Sequence, residues 1–294
     1  MILVDKIFGF DQNWQMTSPK VDHHTTMVSH AHYDHLPTKF KDKKLVCSRE
    51  TEKIIRMRRN NKELNFWKDP NVKMLNAGHT IGSKMFHFQE QDILYTGDFN
   101  TQNKYCGTAK PVQCNTLIME GTFGAPEYIF PKHELVVEQL VDYLKNNPKA
   151  IIRAYSFGKS QEICHILDKH KIDFKIESAP AKAINDELGL KFKHEKEDAT
   201  VLLGPDHRIG FKSIAVSGWA IDPRYRFQMG VDAAFPLSDH ADFPSLLQFA
   251  QSCNPKKIRV FHGGHHVELA HSLRKMGFDA EAFPVTQRRL TQFS

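Results

Sequence analysis

The run His30-Ala31-His32-Tyr33-Asp34-His35 sets three imidazoles and one carboxylate within six residues. Imidazole nitrogen and carboxylate oxygen are the donors that zinc and other first-row divalent ions accept at neutral pH. A strand-like stretch, Thr26-Met27-Val28, leads into the run. A strand ending in a tight loop can aim His30 and His32 to one side and Asp34 and His35 to another, which suits two adjacent metal ions rather than one. The bland alternative, a solvated histidine cluster, is disfavoured by the ligand types that follow. His79 lies between glycines in Gly78-His79-Thr80-Ile81-Gly82-Ser83, a loop whose backbone can approach a ligand closely. Asp98, in Thr96-Gly97-Asp98-Phe99, ends the strand-like Ile93 to Tyr95, where one acid can bridge two cations. His240, in Leu237-Ser238-Asp239-His240-Ala241-Asp242, and His262, in Phe261-His262-Gly263-Gly264, complete the series.

The elements needed to position these groups alternate along the chain. Leu45 to Cys47, Thr116 to Met119, Ile151-Ile152, Val201 to Leu203, Ile214 to Val216 and Ile258 to Phe261 read as strands. Met85 to Phe88 and Ile93 to Tyr95 read as a hairpin pair. Helical spacing covers Glu50 to Arg59, Glu134 to Lys145, Ser160 to Lys169, Ser245 to Ser252 and Val267 to Met276. Lys191 to Asp198 is charged and reads as a surface loop. This alternation predicts an α/β architecture. The helix and strand between His240 and His262 would return both to one end of a sheet, where α/β proteins build sites.

At 294 residues the chain can form one large domain or two modest ones. A formal net charge of +6 favours a polyanionic partner without requiring one. The five cysteines are scattered with no C-x-x-C pair, so neither a zinc ribbon nor a disulfide framework is expected. They read as reduced core thiols of a cytoplasmic protein. No signal peptide or membrane-spanning stretch is apparent, so no membrane partner is expected.

Taken in order, HAHYDH, GHTIGS, TGDF, EGTFG, AYSFGKSQE, SDHAD and FHGG resemble the β-CASP branch of the metallo-β-lactamase superfamily, a family of nucleic-acid nucleases. The resemblance runs from about Val21 to Ala282, and Glu120, His240 and His262 select this branch. Its segments are most like the small ligase-associated DNA exonucleases and archaeal RNA 3′-end processing factors. The resemblance implies a metallo-β-lactamase αββα sandwich from residues 1–124 and 236–294, with a compact α/β β-CASP insertion over 125–235.

The resemblance also implies residue roles. His30, His32 and His79 would hold one metal, Asp34, His35 and His262 a second, and Asp98 would bridge them. Two such cations can activate a water and clamp a scissile phosphate. Two Zn2+ ions are expected, with Mn2+ compatible because no thiolate joins the set. His240 is the expected general acid, oriented and kept protonated by Glu120, and Asp34 counts with them among the catalytic residues. Lys159 and Ser160 are candidate phosphate contacts, although Arg153 stands where a nucleotide-binding loop would carry its first glycine. The basic helix near Arg56 could follow a nucleic-acid backbone or form a solvated face. One departure concerns the acid that the family carries on an early strand. Ser18 aligns there, with Asp5, Asp11 or Asp22 as substitutes.

The expected activity is a 3′-end exonuclease on DNA, favoured over RNA, with DNA ligase or repair partners suggested by likeness. An RNA-processing endo- or exonuclease of the same fold and a small-ester metallohydrolase remain open, as does a metal-free binding scaffold. The Glu120 and His240 pair argues against the ester reading, and the full ligand set argues against the scaffold.

Overall fold

The computed structural model describes residues 2–4, 8–11, 25–37, 44–59, 64–103, 105–204 and 207–283. Ser18, Asp5, Asp22, His23 and His24 lie outside them. The first sheet runs in order through β1 (Ile2–Val4), β2 (Phe8–Phe10), β3 (Thr25–Met27), β4 (Lys44–Val46) and β5 (Asn65–Phe66), with α1 (Arg49–Arg59) after β4. The second sheet begins with the meander β6 (Val72–Asn76), β7 (Lys84–Phe88) and β8 (Ile93–Tyr95), and continues into the parallel β9 (Thr116–Glu120).

The chain then builds a third, wholly parallel sheet. Its helices and strands are α2 (His133–Asn146), β10 (Ala150–Arg153), α3 (Lys159–Lys169), β11 (Phe174–Ile176), α4 (Ala179–Leu188), β12 (Val201–Leu203), β13 (Lys212–Val216), α5 (Tyr225–Gln228) and β14 (Ala233–Phe235). The strand order is β11-β12-β10-β13-β14. Finally α6 (Phe243–Cys253), β15 (Lys257–Phe261), α7 (His266–Lys275) and β16 (Asp279–Ala282) return to the second sheet, where β15 pairs with β9 and β16 forms the edge.

Side-chain alternation sets the layers, because successive residues of a strand face opposite sides. On β9, Leu117 and Met119 pack beneath Leu246, Phe249, Leu269 and Leu273 of α6 and α7. Ile118 points the other way, into a core with Phe86, Phe88, Tyr95 and Phe261 of its own sheet and Phe10, Met27 and Val46 of the first. The outer face of the first sheet buries Leu45 against Ile55 of α1. The result is an αββα sandwich. The third sheet has its own core, in which Val136, Leu140, Ile163 and Leu167 of α2 and α3 cover Ile152, Leu203 and Ile214.

A smaller cluster joins the two bodies. Ala31 of the histidine loop, Ile54 of α1, Phe157 and Ile184 of α4 are all buried together. α4 itself is bounded by local chemistry: the Ser178 hydroxyl accepts from the amide of Ala181, and Gly189 ends the helix in a left-handed conformation. Among the described residues, no helix is long and apolar enough to cross a membrane.

Candidate metal centre

The ligand-type residues gather at one end of the sandwich, on loops that leave β3, β8 and β15 and on the turn between β6 and β7. These loops must pack backbone to backbone. Gly78 adopts φ +73°, and a Cβ there would lie 2.4 Å from the carbonyl oxygen of Asn100. His262 takes a left-handed φ of 57° without being glycine. Such conformations persist where surrounding structure holds them, often at functional sites.

The hydrogen-bond network assigns the ring tautomers. Ser29 Oγ donates to Asp11 Oδ2 at 2.6 Å, so it accepts from His30 Nδ1 at 3.0 Å. His32 Nε2 donates to the Phe157 carbonyl at 3.1 Å. His79 Nδ1 donates to the Asp239 carbonyl at 2.9 Å. Each outer nitrogen is thereby a donor, and each inner nitrogen carries a lone pair. Those inner atoms converge: His32 Nδ1 lies 2.9 Å from His30 Nε2 and 3.1 Å from His79 Nε2. Facing lone pairs repel unless a cation lies between them. A tetrahedral ion with bonds of about 2.0–2.1 Å sets its nitrogens about 3.3 Å apart, so this donor set fits one.

Asp98 Oδ2 lies 3.7 Å from His30 Nε2, 3.8 Å from His79 Nε2 and 3.2 Å from His35 Nε2. Its Oδ1 is buried with no hydrogen-bond partner among the described residues. On the far side of Asp98, Asp34 Oδ2 lies 3.6 Å from His35 Nε2 and 3.7 Å from His262 Nε2. Two donor groups with an acid between them are thus in place. Burial holds His30 and His32 below the ordinary imidazole range, and His79 down to about 3, so these rings are neutral. Burial also opposes charge on His35, but Asp98, Asp34 and Asp11 outweigh it and raise that ring.

Asp11, one of the candidates for the early acid, is buried behind the histidine loop. It accepts from Ser29 N at 2.8 Å, Ser29 Oγ and Tyr95 Oη at 2.6 Å, and His35 Nδ1 at 3.0 Å. It therefore supports His35 directly and His30 through Ser29, as one of the residues named as alternatives to Ser18, which lies outside the described residues.

A second polar group adjoins the first. His240 Nδ1 lies 3.0 and 2.9 Å from the two oxygens of Glu120. Glu120 also accepts from Phe99 N at 2.8 Å and from Thr122 Oγ1. Burial works against charge on His240, yet the Glu120 carboxylate prevails and raises the ring to about 10. The ring stays protonated at neutral pH.

No family model matches the chain. A protein of Opitutus terrae named "Probable DNA ligase" is 30% identical over 295 residues, covering 87% of this chain and 28% of that protein. An "RNase J-like protein" of Methanocaldococcus jannaschii is 29% identical over 205 residues, covering 55% of this chain and 48% of that one. The chain spans between about a quarter and a half of the length of these relatives. A solved Enterococcus faecalis protein of unknown function superposes with a TM-score of 0.60 at 16% identity, covering 86% of this chain and 79% of its own, a likeness of fold alone. The chain belongs to the β-CASP family of the metallo-β-lactamase fold.

In this β-CASP protein an open cleft of about 520 Å³ lies over the ligand groups, lined by Asp34, Asp98, His240 and His262 from the sandwich and by Tyr155, Phe157 and Trp219 from the parallel-sheet side. Trp219 packs its ring 4.6 Å from that of Phe123 and is partly covered. Neither Lys159 nor Ser160 lines this cleft. Lys159 is 1% exposed with its ammonium 2.5 Å from Glu162, and the Ser160 hydroxyl donates to the Tyr155 carbonyl at 2.7 Å. In the basic helix, Arg56 pairs with Glu52 at 2.9 Å, whereas Arg58 turns into the cleft. Tyr33, Tyr155 and Asp239 lie inside the quoted motifs and Arg58 in the basic helix, yet nothing in their spacing gives them a role. Asp11 did have a signal, an acid closely following a strand, as Asp98 follows β8. His265 and His266 serve local structure, bonding Tyr128 Oη and the Gly263 carbonyl at 3.0 Å each.

Proposed function

We propose that this chain is a metal-dependent phosphodiesterase that processes nucleic acid, acting first as an exonuclease on DNA 3′ ends. The observation that carries the reading is the convergence of three imidazole rings beneath a cleft lined by a histidine held by a carboxylate. His30, His32 and His79 would hold one divalent ion, Asp34, His35 and His262 another, and Asp98 both. Zinc comes first on donor chemistry and manganese second. Bound there, the ions would supply an activated water and neutralise phosphate charge.

The protein's own groups account for the remaining requirement, a proton for the leaving alkoxide. His240 Nδ1 is committed to Glu120, so its Nε2 is the atom that can donate into the cleft. Glu120 positions that ring and is itself fixed by Phe99 N and Thr122 Oγ1. A small-ester hydrolase has no need of such a charged acid. In this reading residues 1–124 and 236–294 form the catalytic body and 125–235 the insertion that roofs it.

The relatives' names point both ways on the sugar, one to DNA and one to RNA. Similarity to a segment of a protein named a probable DNA ligase supports DNA, and a ligase or repair enzyme as partner. The test is incubation of 5′-labelled DNA and RNA strands with the zinc- or manganese-loaded protein. A ladder that shortens DNA stepwise from its 3′ end is expected. Preferential cleavage of RNA would overturn the DNA assignment, and hydrolysis of small esters with both strands left intact would overturn the phosphodiesterase reading itself.

A further inference from the structure

A second opening adjoins the metal cleft. It has a volume of about 220 Å³ and is lined by Arg153, Tyr155, Ser217, Tyr225 and Met229. Tyr155 and Ser217 belong to both openings, so the two adjoin. The crevice lies outside the carboxyl ends of β10 and β13. From β10 the chain first builds β11 and β12 on one side, then crosses to β13 and β14 on the other. The loops after β10 and β13 therefore diverge, and open parallel sheets bind ligands at such reversals.

The lining has a definite chemistry. Arg153 gives one N–H to the Met229 carbonyl at 3.0 Å, and no carboxylate pairs with it among the described residues. In the adjoining cleft, Arg58 lies over the rings of Tyr33 and Phe157 at 4.4 and 5.3 Å, likewise with no carboxylate partner among the described residues. Two guanidinium groups in adjoining openings, neither paired with a carboxylate among the described residues, are arranged for an anion with more than one charge. Tyr155, which lines both openings, is 57% exposed. A nucleobase face satisfies such a ring, and bases offer that face only when they are unpaired and splayed.

We propose that this crevice is a subsite for one unpaired nucleotide flanking the scissile linkage, its base stacked on Tyr155 and its phosphate paired with Arg153. The proposal rests on the phosphodiesterase reading for the identity of the cleft and adds single-strandedness at this position.

Binding of a short fluorescein-labelled oligodeoxythymidylate, followed by anisotropy, tests it. Tyr155→Ala is expected to weaken binding about tenfold, while Tyr155→Phe binds as wild type. Arg153→Ala is expected to weaken binding and flatten its salt dependence by about one counter-ion. Blunt duplex binding should respond to neither change. Single-strand binding by Tyr155→Ala equal to wild type, or an equal loss on duplex, would overturn the subsite. Wild-type hydrolysis of bis(p-nitrophenyl) phosphate separates the two ideas. Its absence, with Tyr155-dependent strand binding retained, removes the reaction and leaves the subsite. Its presence, with no Tyr155 dependence, does the reverse.

Discussion

His240 is predicted to be separable from the metal ligands. His240→Ala should leave metal content unchanged and lower turnover about 10²–10⁴-fold, the usual cost of losing a general acid. Asp34→Ala should instead lower the metal bound per chain. Elemental analysis beside a rate assay distinguishes the two, and a fully active His240→Ala would refute the assignment. Asp11 should behave as a support. Asp11→Ala strands the donors of Ser29, His35 and Tyr95 in a buried place, and loss of such outer partners weakens metal affinity about 10–100-fold. The imidazoles and carboxylates that the fold gathers were legible in the sequence because donors of that kind at such spacing suit metal coordination. Arg58, Arg153 and Tyr155 were not legible, since a lone arginine or tyrosine gains meaning only from what the fold sets beside it.

Most elements declared themselves through periodicity, and those that did not were short or lacked an apolar face. β6 is exposed along most of its length, and β11 has three residues. α4 gave two local signals, Ser178 before Pro180 and Gly189 after Leu188, but its apolar stripe is thin. α3 shows how a local pattern misleads. Its Gly-Lys-Ser start suggested an anion site, yet Glu162, one turn after Lys159, takes up the charge internally. Burial resists both charges of this pair, and each partner outweighs that resistance, holding Glu162 low and Lys159 high.

Glu162→Gln should therefore cost about 3–5 kcal/mol by leaving a buried ammonium alone, while Lys159→Met with Glu162→Leu should recover much of it. Urea denaturation measures both. The pH dependence follows from the sign of the shift. Because Glu162 titrates lower when folded, its contribution is present above about pH 4.5 and is lost as pH falls through the folded value. Wild-type stability should fall more steeply on acidification than that of Glu162→Gln.

At the scale of the molecule, the αββα layers follow from strand alternation, with Leu117 and Met119 facing α6 and α7 and Ile118 facing the other sheet. That pattern was readable in outline, whereas the order of the strands was not, because parallel pairing joins segments far apart in sequence. Removing divalent ions should lower Tm, and adding zinc back at about a hundred times its Kd should restore about 2.7 kcal/mol, since only the folded chain brings the donors together. Unchanged thermal melting with and without chelator would count against the metal centre.

The two carbonyls that fix His32 and His79 come from Phe157 and Asp239. One belongs to the loop between β10 and α3, the other to the return from β14 to α6. Neither is part of the loop that carries the imidazole it anchors. The roof is thus a wall of the vault beneath it. A chimaera that exchanges residues 125–235 for a foreign cap would inherit a working vault only if the new segment offers an oxygen where Phe157 stands, and a trimmed protein lacking the cap would leave His32 free to turn.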